Sequence, residues 1–158
     1  MHVLIFIALM IVLDQVVKYW AVAVLQPAHT IPLIENVFHL TYVENRGAAF
    51  SLFAKFDSRW FFVTLAVLIT AAICVALRKN WIQTQLGRWS LYLISAGALG
   101  NAIDRVIRGF VVDLFDFRAI GFPVFNVADI FICIGGAMFF IYILFQHKDK
   151  EQKGEQDD

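Results

Sequence analysis

"VLIFIALMIVLDQVVKYWAVAVL", residues 3–25, is apolar or aromatic along its whole length except at Asp14, Gln15 and Lys18. A helix needs roughly 20 mostly apolar residues to cross a bilayer core about 30 Å thick, so this stretch predicts a membrane span. Asp14 lies eleven residues beyond Val3, about 17 Å along a helix and close to the bilayer midplane. Lys18, four residues on, shares its face. A lone charge at that depth costs about 2.5–3.5 kcal/mol on insertion scales. The expectation is an ion pair facing the bundle interior, either structural or with a direct part in catalysis or transport. No basic segment precedes the stretch and charges interrupt it, so it reads as a retained span and not as a cleavable signal peptide.

Working outward, three further apolar stretches have comparable length: Trp60–Leu77, Trp89–Ile107 and Val124–Phe145. The 158 residues are 60% hydrophobic and 16% charged, against about 45–50% and about 25% in soluble domains. Mean hydropathy is +0.71. The expected fold is an all-α membrane protein with four transmembrane helices, over about 3–25, 60–77, 89–107 and 124–145. Residues 1–147 form one domain, and 148–158, "KDKEQKGEQDD", form a hydrophilic tail. The connection 26–58 holds "VFHLTYVEN", residues 37–45, rich in β-branched and aromatic types, before "RGAAF" breaks the run at Gly47. A small extracytoplasmic β element is expected there, and "GFVVDLFDF" in the connection 108–123 also reads as extended.

Four spans place both termini on one side. The basic residues do not decide which side: Arg78, Lys79, Arg88, Lys148, Lys150 and Lys153 balance Arg46, Lys55, Arg59, Arg105, Arg108 and Arg118. The short, basic connection between the second and third spans, with the solvated tail, favours cytoplasmic termini. Acids and bases number 13 each, so no global field points to nucleic acid. Cys74 and Cys133 read as small buried apolar residues, without CxxC, HExxH or metal-ligand spacing. No metal or organic cofactor is expected.

Acids recur in apolar surroundings near the third and fourth spans. "GALGNAIDRVIR", residues 97–108, puts Asn101 and Arg105 on one helix face and leaves Asn101 and Asp104 in need of partners at membrane depth. Gly97 and Gly100 permit close helix approach. "VVDLFDF", residues 111–117, carries Asp113 and Asp116, and "FNVADIF", residues 125–131, carries Asn126 as an N-cap and Asp129 in the first helical turn. Packed helix axes lie about 8–10 Å apart, so Asp113 and Asp129 could meet. Two carboxylates held close share a proton, and such a couple can activate water against a peptide carbonyl.

"DQVVK" at 14–18, "NRGAAF" at 45–50, "GNAIDR" at 100–105, "VVDLFDF" at 111–117 and "FNVAD" at 125–129 together resemble the lipoprotein signal peptidase family, signal peptidase II, from the first span to the fourth. The resemblance implies a bacterial inner-membrane aspartic endopeptidase, cutting prolipoproteins before a diacylglyceryl-modified cysteine. It implies catalytic Asp113 and Asp129, with Asp14, Lys18, Asn45, Gly47, Asn101, Arg105 and Asn126 as a supporting or substrate-binding shell. Cytoplasmic termini and a site near the outer leaflet follow, with substrates and membrane lipids as partners and a monomer as the expected state. Leu114 stands where the family leads one to expect an aromatic. Arg105 either steadies the shell or pairs with Asp104, and the loop 26–58 is expected to act as a cradle or lid hinged at Gly47.

Two other readings compete. A proton-coupled transporter would use Asp14, Lys18, Asp113 and Asp129 as a relay, although the polar residues concentrate at one membrane face. A serine intramembrane peptidase would use the hydroxyl in "SAG", residues 95–97, but no GxSG surrounds it.

Overall fold

The structure is a computed structural model that describes residues 2–47 and 58–154. Helix α1 (His2–Ala28) leads through His29, at φ 61°, into the antiparallel strands β1 (Thr30–Ile34) and β2 (Phe38–Asn45). Helices α2 (Ser58–Arg78) and α3 (Gln85–Arg108) follow. Thr84 caps α3 by accepting a hydrogen bond from the Gly87 N–H at 3.1 Å, and Gly109, at φ 83°, ends it in the left-handed conformation. Strand β3 (Val111–Asp116), a short 3-10 turn (Arg118–Ile120) and helix α4 (Val127–Gly154) complete the chain.

Both connections expected to be extended join in one sheet of order β1-β2-β3, with Val43 opposite Asp113 and Asn45 opposite Val111. Alternation along β3 turns Val112 and Leu114 toward Ala21 and Leu25 of α1, where they form a buried core, and turns Asp113 the other way. The sheet therefore sits across the end of the helices and presents Asp113 toward α4.

Among the described residues, three helical segments are long and apolar enough to cross a membrane: α1, α2 and Val127–Phe145 of α4. The expectation of four apolar spans is met in part: α3 is long enough but too polar to join these three. Helix α3, about 36 Å long, packs against α1, α2 and α4 and buries Ser90, Ser95, Asn101 and Asp104 among them. A helix enclosed by its neighbours can be polar because protein, not lipid, surrounds it. A Cβ on Gly97 would lie 2.3 Å from the Ala128 carbonyl oxygen, and one on Gly135 would lie 2.7 Å from that of Ser90, so α3 and α4 touch backbone to backbone. By contrast, α2 has no fully buried residue.

Three expectations shift. Helix α4 begins at Val127 instead of 124, because Phe125 pairs with β3 and Asn126 serves as the cap. It continues through Gly154, so the start of the hydrophilic tail is helical. Cys74 and Cys133 are exposed on helix surfaces and not buried, since the apolar faces of α2 and α4 look outward. Residues 48–57 lie outside the described residues, and the lid reading falls partly on them.

Candidate active site

A buried ionic layer forms the base of the site. Lys18 Nζ lies 3.0 Å from Asp14 Oδ2 and 3.3 Å from Asp104 Oδ2, and donates to Asn101 Oδ1 at 2.8 Å. All three donors of the ammonium are thereby engaged. Asp14 Oδ1 accepts the Ala128 N–H at 2.9 Å, so α1 holds the first turn of α4, where a carboxylate is favoured by the helix dipole. Asp104 accepts the Val112 N–H at 3.0 Å and pairs with Arg108, tying the end of α3 to β3. Gln15 completes the layer, donating to Asp14, Asp104 and the Gly100 carbonyl. Two cations and two carboxylates balance here, as buried charge requires.

Above this layer stand the two acids. A backbone bridge between Phe115 and Phe125 lays the residue before α4 against β3, which brings Asn126 to Asp113. Asn126 Nδ2 donates to Asp113 Oδ1 at 2.6 Å, and the Asn126 backbone N–H donates to Asp129 Oδ2 at 3.2 Å. In return Asn126 Oδ1 accepts the Asp129 N–H at 3.0 Å, a reciprocal capping box at the start of α4. Asn101 Nδ2 donates to Asp129 Oδ1 at 2.8 Å, while its oxygen accepts from both Lys18 and Asn126. Asn45 Nδ2 reaches Asp113 Oδ2 at 2.9 Å. Burial pushes the Asp113 carboxyl up to about 6; the amides of Asn126 and Asn45 oppose the rise, and the neighbouring Asp129 charge adds to it.

Gly47 and Arg105 also have places in this arrangement, and Asp116 does not. Gly47, at φ 83°, donates its N–H to Asn45 Oδ1 at 2.9 Å, fixing the amide that serves Asp113, and a Cβ there would meet Phe62 at 2.8 Å. Arg105 is stacked on the Phe62 ring, 4.7 Å from its centroid, within electrostatic reach of Asp129 and Asp113. The side chain that pairs with Asp104 is Arg108 together with Lys18, not Arg105, because i,i+4 spacing places Arg108 over Asp104. Asp116 lies at the far end of β3, bonded to Arg118 and Thr41 and apart from the acid pair. Gln15 and Arg108 are the members that sequence reasoning did not place; a third polar side chain beside Asp14, and the i,i+4 spacing from Asp104, were the available signals.

Beside Asn45 and Asp129 runs a groove of about 440 Å³, walled by Phe122, Phe125, Ile130 and Cys133, within the usual range for ligand sites of about 300–1,000 Å³. Among the described residues no group of three or more His, Cys, Asp or Glu side chains is arranged to hold a metal ion. Of the two acids, Asp129 lines the groove and Asp113 is buried behind Asn45 and Asn126, an arrangement that suits water-mediated cleavage of an amide in an apolar substrate.

Residues 6–145 match the family model described as signal peptidase (SPase) II. The chain is 50% identical to the lipoprotein signal peptidase of Clostridioides difficile (strain 630), covering 88% of this chain and 92% of that one. It is 44% identical to that of Lactococcus lactis subsp. lactis (strain IL1403), covering 95% and 96%. Two solved structures, each described as a bacterial membrane enzyme determined by the in meso method, share the fold. One, at 1.9 Å resolution, has a TM-score of 0.81 at 30% identity and covers 90% of this chain and 92% of that one. The other, at 2.3 Å, has a TM-score of 0.82 at 28% identity, with 94% and 91% covered. The transporter reading finds no support in these likenesses.

Proposed function

This chain belongs to the signal peptidase II family, and from that premise we propose that Asp113 and Asp129 are its hydrolytic acid couple, removing signal peptides from bacterial prolipoproteins. One observation carries the assignment: Asn126 donates to Asp113 through its side chain and to Asp129 through its backbone, so a single residue registers both acids.

The couple holds one proton. Its ionised member takes a proton from water as the water oxygen attacks the scissile carbonyl carbon, and the protonated member donates to the carbonyl oxygen. Collapse of the tetrahedral intermediate breaks the C–N bond: the amine leaves with the proton drawn from water, and the hydroxyl formed from the carbonyl oxygen returns its proton to the couple as the C=O bond re-forms, so the couple again holds one proton. Asn45, Asn101 and Asn126 fix the carboxylates, and Asp14 and Lys18 fix the helix ends that carry them. Gly47 sets Asn45, and Arg105 offers positive charge beside the pair.

The bond cut precedes a diacylglyceryl-modified cysteine. The groove lined by Phe122, Phe125 and Ile130 accepts the apolar part of that substrate next to Asp129. In this reading α3 is a fourth span enclosed by the others, the termini are cytoplasmic, and the couple lies near the outer leaflet of the inner membrane. The enzyme acts as a monomer.

The test is cleavage of a diacylglyceryl-modified preprolipoprotein and of its unmodified twin by the purified protein in lipid or detergent. The modified form alone is expected to be cut, immediately before the cysteine. Equal cleavage of the twin would overturn the substrate assignment.

A further inference from the structure

At the end of the bundle opposite the acid couple, α1, α2 and α3 enclose a second groove of about 450 Å³. Leu4, Ile73, Leu77 and Leu99 supply apolar wall, and Arg78 and Arg88 line it from two different helices. Thr70 also lines it, with a hydroxyl that has no hydrogen-bond partner among the described residues. Thr70 lies eight residues before Arg78, so the α2 wall runs about 12 Å from the arginine inward.

The placement of Arg88 is the informative feature. It sits near the N-terminus of α3, where the helix dipole is positive and a cation is disfavoured, and the first turn contains no acidic residue to offset it. The connection 78–88 contains Arg78, Lys79 and Arg88 with no carboxylate. Neither groove arginine has an ion pair with the described side chains of residues 2–47 and 58–145. Trp81 and Trp89, both exposed beside this end, suit the membrane–water boundary. Two guanidiniums lining an otherwise apolar cleft match a phosphate carried on an acyl chain.

We propose that this groove binds an anionic glycerophospholipid, its phosphate held by Arg78 and Arg88 and one acyl chain lying between α1, α2 and α3. The site is separate from the acid couple and its groove.

Full-length protein in nanodiscs containing phosphatidylglycerol and phosphatidylcholine, released into native mass spectrometry, tests this. Wild-type protein is expected to retain one phosphatidylglycerol, enriched about tenfold or more over its share of the bilayer. Arg88→Gln and the double variant Arg78→Gln/Arg88→Gln should lose that enrichment, and Arg88→Lys should keep part of it. Lys79→Gln removes the same charge from the same end, but Lys79 rests on the Trp81 ring outside the groove, so this variant should retain the lipid as wild type does. No enrichment in wild type, enrichment that survives the double variant, or an equal loss in Lys79→Gln would each overturn the proposal. Inorganic phosphate at millimolar concentration is expected to leave thermal stability unchanged; stabilisation matching that by phosphatidylglycerol would assign the site to a free anion and refute the lipid. Cleavage of substrate in detergent by the double variant is expected at the wild-type rate, which keeps this test apart from that of the acid couple.

Discussion

Asn126 has every hydrogen-bonding atom of its amide engaged: Nδ2 with Asp113 and Asn101, and Oδ1 with the Asp129 N–H. Its bond to Asp113 favours the ionised carboxylate, whereas burial and Asp129 favour the protonated one, and the balance lies at about 6 against an ordinary 3.8. The value describes loss of the proton from Asp113, with the neighbouring Asp129 charge contributing to the rise. The kcat/KM of the free enzyme should therefore decline on the alkaline side through an apparent value near 6. Asn126→Ala removes a donor that lowers the Asp113 value, so the value rises and the alkaline limb moves to higher pH, while the rate falls by about 100-fold. A pH–rate profile of the variant in detergent checks the sign, and a limb displaced to lower pH would contradict it. The N-cap role of Asn126 was legible in "FNVAD" because capping is local, spanning three residues. Its contact with Asp113 was not, since it depends on the Phe115–Phe125 bridge, which no local spacing encodes.

Among the elements, α1 acts on the site through charge balance. Lys18 and Arg108 offset Asp14 and Asp104, so Asp14→Ala leaves an excess cation, Lys18→Ala leaves an excess carboxylate, and the double variant leaves the neutral Asp104–Arg108 pair. Each single change should cost about 3–5 kcal/mol. The double should cost less than the sum by about 1–3 kcal/mol. Thermal unfolding of the three variants measures this, and additive losses would refute the coupling. Helix α3 acts through backbone proximity: Gly97→Ala must push α4 away at Ala128, next to Asp129, with a stability loss of about 1–3 kcal/mol. Cleavage should fall with it, whereas unchanged turnover would show that the α3–α4 approach does not set the acid pair. The Asp14–Lys18 pair was readable from i,i+4 spacing at membrane depth. The same spacing joins Asp104 to Arg108 and excludes the adjacent Arg105, whereas the second partner of Asp104, Lys18, was not readable because it depends on the packing of α1 against α3.

At the scale of the whole molecule, lipid-facing helices surround a polar central one, and a small sheet closes one end over the acids. Four long helices and extended connections were legible because hydropathy and β-branched content are properties of segments. The union of β2 with β3 is a long-range pairing across α2 and α3, and it places Asn45 beside Asp113; neither segment carries that information alone. The polarity of α3 hid its central position for the same reason, since burial among partners depends on the assembled bundle. The account turns on both carboxyl groups being needed for hydrolysis. Single-turnover cleavage of lipid-modified preprolipoprotein by folded Asp113→Asn and Asp129→Asn, each matched to wild type by thermal unfolding, addresses that need directly. Each rate is predicted to fall by at least about 1,000-fold, and near-normal cleavage by either folded variant would contradict the shared role of the two acids.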